Sequence, residues 1–232
     1  MVQIITIQYN DLLSFDFDNP SEVLVTKIGQ AFGSSSDCLG ILAVEGVPKW
    51  MEHRERLLPL AARLPGIPSL DKVVLPDTKF STGWSHGREM LGDQPDIAKG
   101  SFYANPNTNH LVADLCMREP EKTDHWEELG KRHPEFYADN VWPEDDLPEL
   151  ESAFMEVGQL VRQVGILLAG VCDVYCRQQG VETDLKGVLS GSLNTKGRLL
   201  HYFDMSGECA EGDKDKMWCG WHNDHVRGAL RF

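Results

Sequence analysis

The sequence predicts a mixed α/β protein, and three observations carry that expectation. A β-rich run, IITIQY, fills 4–9; a long apolar stripe runs from Phe154 to Tyr175; and a second strand-like run, RLLHYF, fills 198–203. The stripe is the strongest of the three. Phe154, Val157, Val161, Val164, Leu168, Val171 and Tyr175 recur at alternating intervals of three and four. At 3.6 residues per turn, that spacing lines one face of a helix for about six turns. Asp146 and Pro148 supply start signals and Gly180 a stop, so the helix is expected over about 148–178. Such a face must cover something apolar, and a sheet is its natural partner.

The remaining elements follow in order. After the first strand, Asn19-Pro20-Ser21-Glu22 reads as a helix start, with a capping residue, proline at the first helical position and an early acid. That helix carries Val23, Leu24, Ile28, Ala31 and Phe32 and is expected to end near Gly33. LGILAV (39–44) is an apolar run of strand length, and Gly46-Val47-Pro48 turns the chain into a second helix. Trp50, Met51, Arg54, Leu57, Leu58, Ala61 and Leu64 keep helical spacing there, although Pro59 is expected to kink it. From Pro65 to Pro106 glycine and proline accumulate, and a long ordered loop with little regular structure is expected. Residues 119–151 hold 12 Asp and Glu against 3 Lys and Arg, which reads as a solvated face.

Charge narrows the function classes. A net charge of −14 leaves no basic stripe to neutralise phosphates and disfavours an anionic membrane surface, so no nucleic acid and no membrane partner is expected. No run approaches the roughly 18 consecutive apolar residues of a membrane span. MVQIITIQYNDLL lacks the positive segment of a signal peptide. Six scattered cysteines then read as reduced thiols in a cytoplasmic protein. Cys172 and Cys176, one helical turn apart, read as small buried side chains.

WCGWHNDH (218–225) carries the metal chemistry. On an extended strand, residues two apart point to the same side, so His222 and Asp224 could reach one ion. An imidazole and a carboxylate supply two corners of the facial triad of non-haem iron(II) oxygenases. Spacing alone is a weak signal: His53-Arg54-Glu55, His125-Trp126-Glu127 and His133-Pro134-Glu135 repeat it in stretches that read as helix or loop. Cys209, Cys219, His222 and His225 offer zinc donors, but in a spacing that fits none of the usual fingers.

The order of segments resembles the isopenicillin N synthase-like superfamily of iron(II)-dependent oxygenases and oxidases, which includes the 2-oxoglutarate-dependent dioxygenases. ITIQYNDL resembles its opening strand, and the helix ending in AFG followed by LGILAVEGVP resembles the stretch before its HGVP turn, with Glu45 where histidine is usual. RLLHYF resembles the first strand of its double-stranded β-helix, and WHNDH follows at the usual separation. The resemblance implies an N-terminal helical layer over 1–180 and the first strands of an incomplete jelly roll over 181–232.

For activity, the resemblance implies oxidative chemistry on a small organic substrate with O2, at iron(II) held by His222 and Asp224. Tyr202 falls on a tyrosine that contacts the co-substrate carboxylate in many members. Leu200 stands where asparagine is usual, and Arg198 reads as structural. In the family a distal histidine ligand and a 2-oxoglutarate-binding Arg-x-Ser follow tens of residues later. Neither has a place in these 232 residues, so an incomplete iron site is expected, with 2-oxoglutarate unsupported by the chain. His86, His201 and His225 are available, but none is expected to stand in: His225 would point away from Asp224 on a strand, His201 reads as a packed strand residue, and His86 could approach only by a loop excursion. The alternative expectation is a non-catalytic interaction protein, or an inactive fragment, that retains the N-terminal layer.

Overall fold

The computed structural model describes residues 4–91 and 93–205. In chain order, β1 (Ile5–Gln8) leads into α1 (Tyr9–Leu13) and α2 (Glu22–Phe32), followed by β2 (Leu42–Glu45) and α3 (Trp50–Arg63). Three short 3-10 turns precede β3 (Gly83–His86), the hairpin β4 (Met90–Leu91) and β5 (Gln94–Pro95), and β6 (Lys99–Ala104). Then come α4 (Leu111–Arg118), α5 (Thr123–Arg132), α6 (Pro134–Tyr137), α7 (Leu150–Gln178), α8 (Leu185–Gly191) and β7 (Gly197–Tyr202). The protein is mixed α/β with small sheets. It divides into two compact units. One holds the described residues to Met51 with Gln159–Ser192, the other Glu52–Gly158 with the described residues from Leu193 on.

In the first unit β1 and β2 pair in parallel, with Ile5 opposite Leu42 and Ile7 opposite Val44. Parallel strands need a crossover, and α2 supplies it. The side chains α2 buries are Leu24, Val25, Ile28 and Ala31, and they join Ile7, Leu12, Val171 and Val174 in one core. Ser21, not Asn19, is the residue that precedes the first turn of α2. A Cβ at Gly29 would lie 2.8 Å from the Tyr175 ring, so α2 and α7 approach over a residue without a side chain.

Among the described residues, α7 is the one helix long and apolar enough to cross a membrane, judged by length and composition. Of its apolar stripe, Phe154, Val164 and Val171 are buried, whereas Val157, Val161, Leu168 and Tyr175 are only partly so. Two of its charges hold α8 at both ends. Asp173 accepts from the Leu185 and Lys186 amides (2.8 and 2.9 Å), and Arg162 donates to the Leu189 and Ser190 carbonyls (3.1 and 2.7 Å). An acid at a helix start and a cation at its end oppose the helix dipole favourably. Gly180, at φ +77°, closes α7: its amide bonds the Arg177 carbonyl while the Val181 amide reaches back to Cys176, a Schellman ending.

The second unit corrects the expected loop over 65–106. That stretch contains β3 and β6, which pair antiparallel and join β7 in the order β3-β6-β7. Its glycines mark close approaches. A Cβ on Gly100 would sit 2.1 Å from the Trp84 ring, and one on Gly197 would sit 2.7 Å from Phe154. The core gathers Trp84, Phe102 and Leu199 from the sheet, Leu57, Leu60 and Leu64 from α3 and its end, and Leu147, Leu150 and Phe154. The helix α3 runs on through Pro59, which is exposed.

The acidic stretch is more than a solvated face. Glu135 takes Lys79 at 2.7 Å, Asp145 takes Lys72 at 3.1 Å, Glu149 pairs with Arg63, and Asp146 accepts from the Ser69 amide at 2.9 Å. The Ser69 hydroxyl and then its amide hold the Asp146 carboxyl below its ordinary range. Exposed pairs of this kind are screened by solvent and add little stability, so their role is to register segments.

Candidate functional site

Register sorts the three-stranded sheet into two unlike faces. Trp84, Phe102 and Leu199 lie in one cross-strand row, and His86, Gly100 and His201 in another row on the same side. Trp84, Phe102 and Leu199 are at most 5% exposed, so this is the core side. The alternate rows put Tyr103 and Arg198, Ser101 and Leu200, and Lys99 and Tyr202 on the opposite face. A sheet apolar on one side and polar on the other is what an antiparallel sheet with one covered face requires.

The polar face carries a dense charge network. Glu89, in the turn between β3 and β4, reaches over it. One oxygen, Oε1, accepts from Arg198 and from the Tyr103 hydroxyl (3.0 Å), and Oε2 lies 3.0 Å from Lys99 Nζ. Arg198 is itself positioned: Nε and Nη2 donate to Ser101 Oγ at 3.0 and 2.8 Å, and its guanidinium sits 5.1 Å from the centre of the Tyr103 ring. Asp96, only 3% exposed, holds Lys99 at 2.9 Å.

Each shift in protonation has a cause in this geometry. Burial pushes the Glu89 carboxyl up, but the hydrogen bond from Lys99 and the charge of Arg198 outweigh it and leave the carboxyl below its ordinary range. Burial pulls Lys99 down, and its bonds to Asp96 and Glu89 more than reverse that. Burial pushes the Tyr103 hydroxyl up to about 12, so it stays a donor at neutral pH. Because Glu89 is lowered, its stabilising effect is present above 4.5 and is lost as pH falls through its folded value. The difference in thermal midpoint between the wild type and Glu89→Gln is therefore expected to hold above pH 4.5 and to narrow as pH falls below it. A difference that stays constant down to complete protonation would mean the carboxylate charge plays no part.

Of the residues singled out by sequence, Tyr202 lies on this polar face, 38% exposed and paired in register with Lys99. Arg198 is tied to Ser101 and Glu89. His86 and His201 share the core-side row, but the Phe203 ring packs against both, with centroids 4.6 and 4.7 Å away. His86 Nε2 is also engaged by the Ile97 carbonyl at 2.9 Å. His222, Asp224, His225, Cys209 and Cys219 lie outside the described residues. Among the described residues no group of three or more His, Cys, Asp or Glu is placed to hold a metal ion.

Sequence reasoning missed Glu89, Asp96, Lys99, Ser101 and Tyr103 as site residues. A signal was present: in KGSFYA, Lys99, Ser101 and Tyr103 alternate with Gly100, Phe102 and Ala104, a period of two. Glycine content obscured it.

The first unit holds a separate cavity of about 660 Å³, lined among others by Val25, Gln30, Cys38, Tyr175 and Gln178. In the same unit, burial first and the neighbouring Cys176 and Asp173 second push the Cys172 thiol up to about 12. At neutral pH that thiol stays protonated. No protein-family model, no curated protein and no solved structure matches the chain.

Proposed function

We propose that this chain is an iron(II)-dependent oxygenase- or oxidase-type protein of the isopenicillin N synthase-like kind, acting with O2 on a small organic substrate. The observation that carries the reading is the two-faced sheet β3-β6-β7, with Phe154 of α7 against Gly197 on its apolar side and Tyr202 on its polar side. A jelly roll whose outer face is packed by a long helix and whose inner face binds substrate needs that division. In this reading β7 is the first strand of the jelly roll, and His222 and Asp224 hold the iron. Bound there, iron(II) would supply the site at which O2 is reduced. Tyr202 would donate its hydroxyl to a carboxylate of substrate or of 2-oxoglutarate, and Arg198 would position the strand by its bonds to Ser101.

Anaerobic iron(II) titration of the purified protein tests this. About one iron per chain is expected, reduced at least tenfold in affinity by His222→Ala and by Asp224→Ala, since each removes a ligand. Oxygen uptake is then read with iron present. A folded chain that binds no iron would overturn the reading in favour of the non-catalytic interaction protein.

A further inference from the structure

We infer that Arg198, Tyr103 and Lys99 form a binding site for small carboxylates, and that the protein occupies this site itself with Glu89. One carboxylate collects three donors: Arg198 and the Tyr103 hydroxyl on Oε1, Lys99 on Oε2. The donors come from two adjacent strands of a paired sheet, whereas the acceptor comes from a turn. A planar two-oxygen anion met by a guanidinium, a phenol and an ammonium is the geometry of carboxylate recognition.

The donors do not depend on Glu89 for their placement. Ser101 and the Tyr103 ring hold Arg198. Asp96 holds Lys99, whose side chain is 14% exposed. Withdrawing Glu89 would leave a preorganised site, which is what makes a small ligand worth binding. Charge points the same way. Lys99 and Arg198 against Glu89 and Asp96 balance; without Glu89 the site carries one uncompensated positive charge.

Glu89 is also placed to yield. Its side chain is 42% exposed, so a competing carboxylate can approach from solvent. Gly87, two residues earlier, takes φ +65°, and only Ile97 Cγ2, at 3.7 Å, lies near the position its Cβ would fill. The turn that carries Glu89 therefore leaves β3 through a residue without close neighbours, and the bond from the Asp96 amide to the Glu89 carbonyl, at 2.7 Å, is what would have to open as the turn withdraws. The inference stands without the iron reading, because every group in it belongs to the described sheet and turn.

Malonate is the probe, titrated by calorimetry into the full chain in EDTA at fixed ionic strength, so that iron plays no part. Glu89→Ala is expected to bind malonate about tenfold or more tightly than the wild type, because the internal competitor is gone. Adding Arg198→Gln to that variant should abolish the gain. Equal affinity in folded Glu89→Ala and wild type overturns the inference. Should Glu89→Ala fail to fold, amide exchange in the wild type decides: excess malonate should speed exchange over 88–97 relative to chloride. Unchanged exchange there overturns it as well.

Discussion

Replacing Phe102 with alanine is expected to cost about 3–5 kcal/mol of stability, the range for deleting a fully buried aromatic ring. Phe102 is 0% exposed at the centre of β6, with Trp142 and Phe154 rings at 5.5 and 6.1 Å, the latter edge-on. Strand, helix α7 and the preceding loop all lose a partner in that one change. Because Ser101 and Tyr103 flank it, any relaxation of β6 into the void also moves the two residues that position Arg198. Urea unfolding measures the loss, with the slope unchanged if the unfolded state is unaltered. A loss below about 1 kcal/mol would show that the core is not organised around this ring.

Gly83→Ala is the second large effect, and its origin lies in the backbone. Gly83 takes φ +71°, where an L-residue costs about 1–2 kcal/mol, and the added methyl carbon would lie 2.1 Å from the Val73 carbonyl oxygen. A carbonyl cannot turn aside as a side chain can, so β3 or the Val73 segment must shift. Overpacking of that kind adds about 1–3 kcal/mol, for a total of roughly 2–5. Gly66, whose added carbon meets nothing within 4 Å, is the control. Thermal midpoints of the two alanine variants should differ clearly; equal midpoints would mean that the close approach at Val73 carries no constraint.

These two positions also show where the sequence could be read and where it could not. The stripe from Phe154 to Tyr175 declares α7 because one helix face must be apolar throughout, a demand that local composition expresses directly. RLLHYF and LGILAV declare β7 and β2 for the same reason. The strands β3 and β6 were hidden because Gly83 and Gly100 are there for what approaches them, the Val73 carbonyl and the Trp84 indole, and both meet them only once the stretch has folded. The three donors around Glu89 were out of reach in a similar way. Lys99, Tyr103 and Arg198 converge only once β6 and β7 are in register, and the acceptor belongs to a turn whose path no period encodes. The place of Tyr202 on the polar face follows from its alternation with His201.

The first unit draws its residues from two distant stretches of chain, β1 to β2 and the second half of α7 with α8. On a ribosome the opening strands emerge long before Val171 and Val174, the residues that complete their core. At about 5–20 residues per second, Ile7, Leu24 and Ile28 wait for roughly 7–30 seconds without their permanent cover. That interval, rather than any property of the finished molecule, is when nascent polypeptide of this type most needs a chaperone.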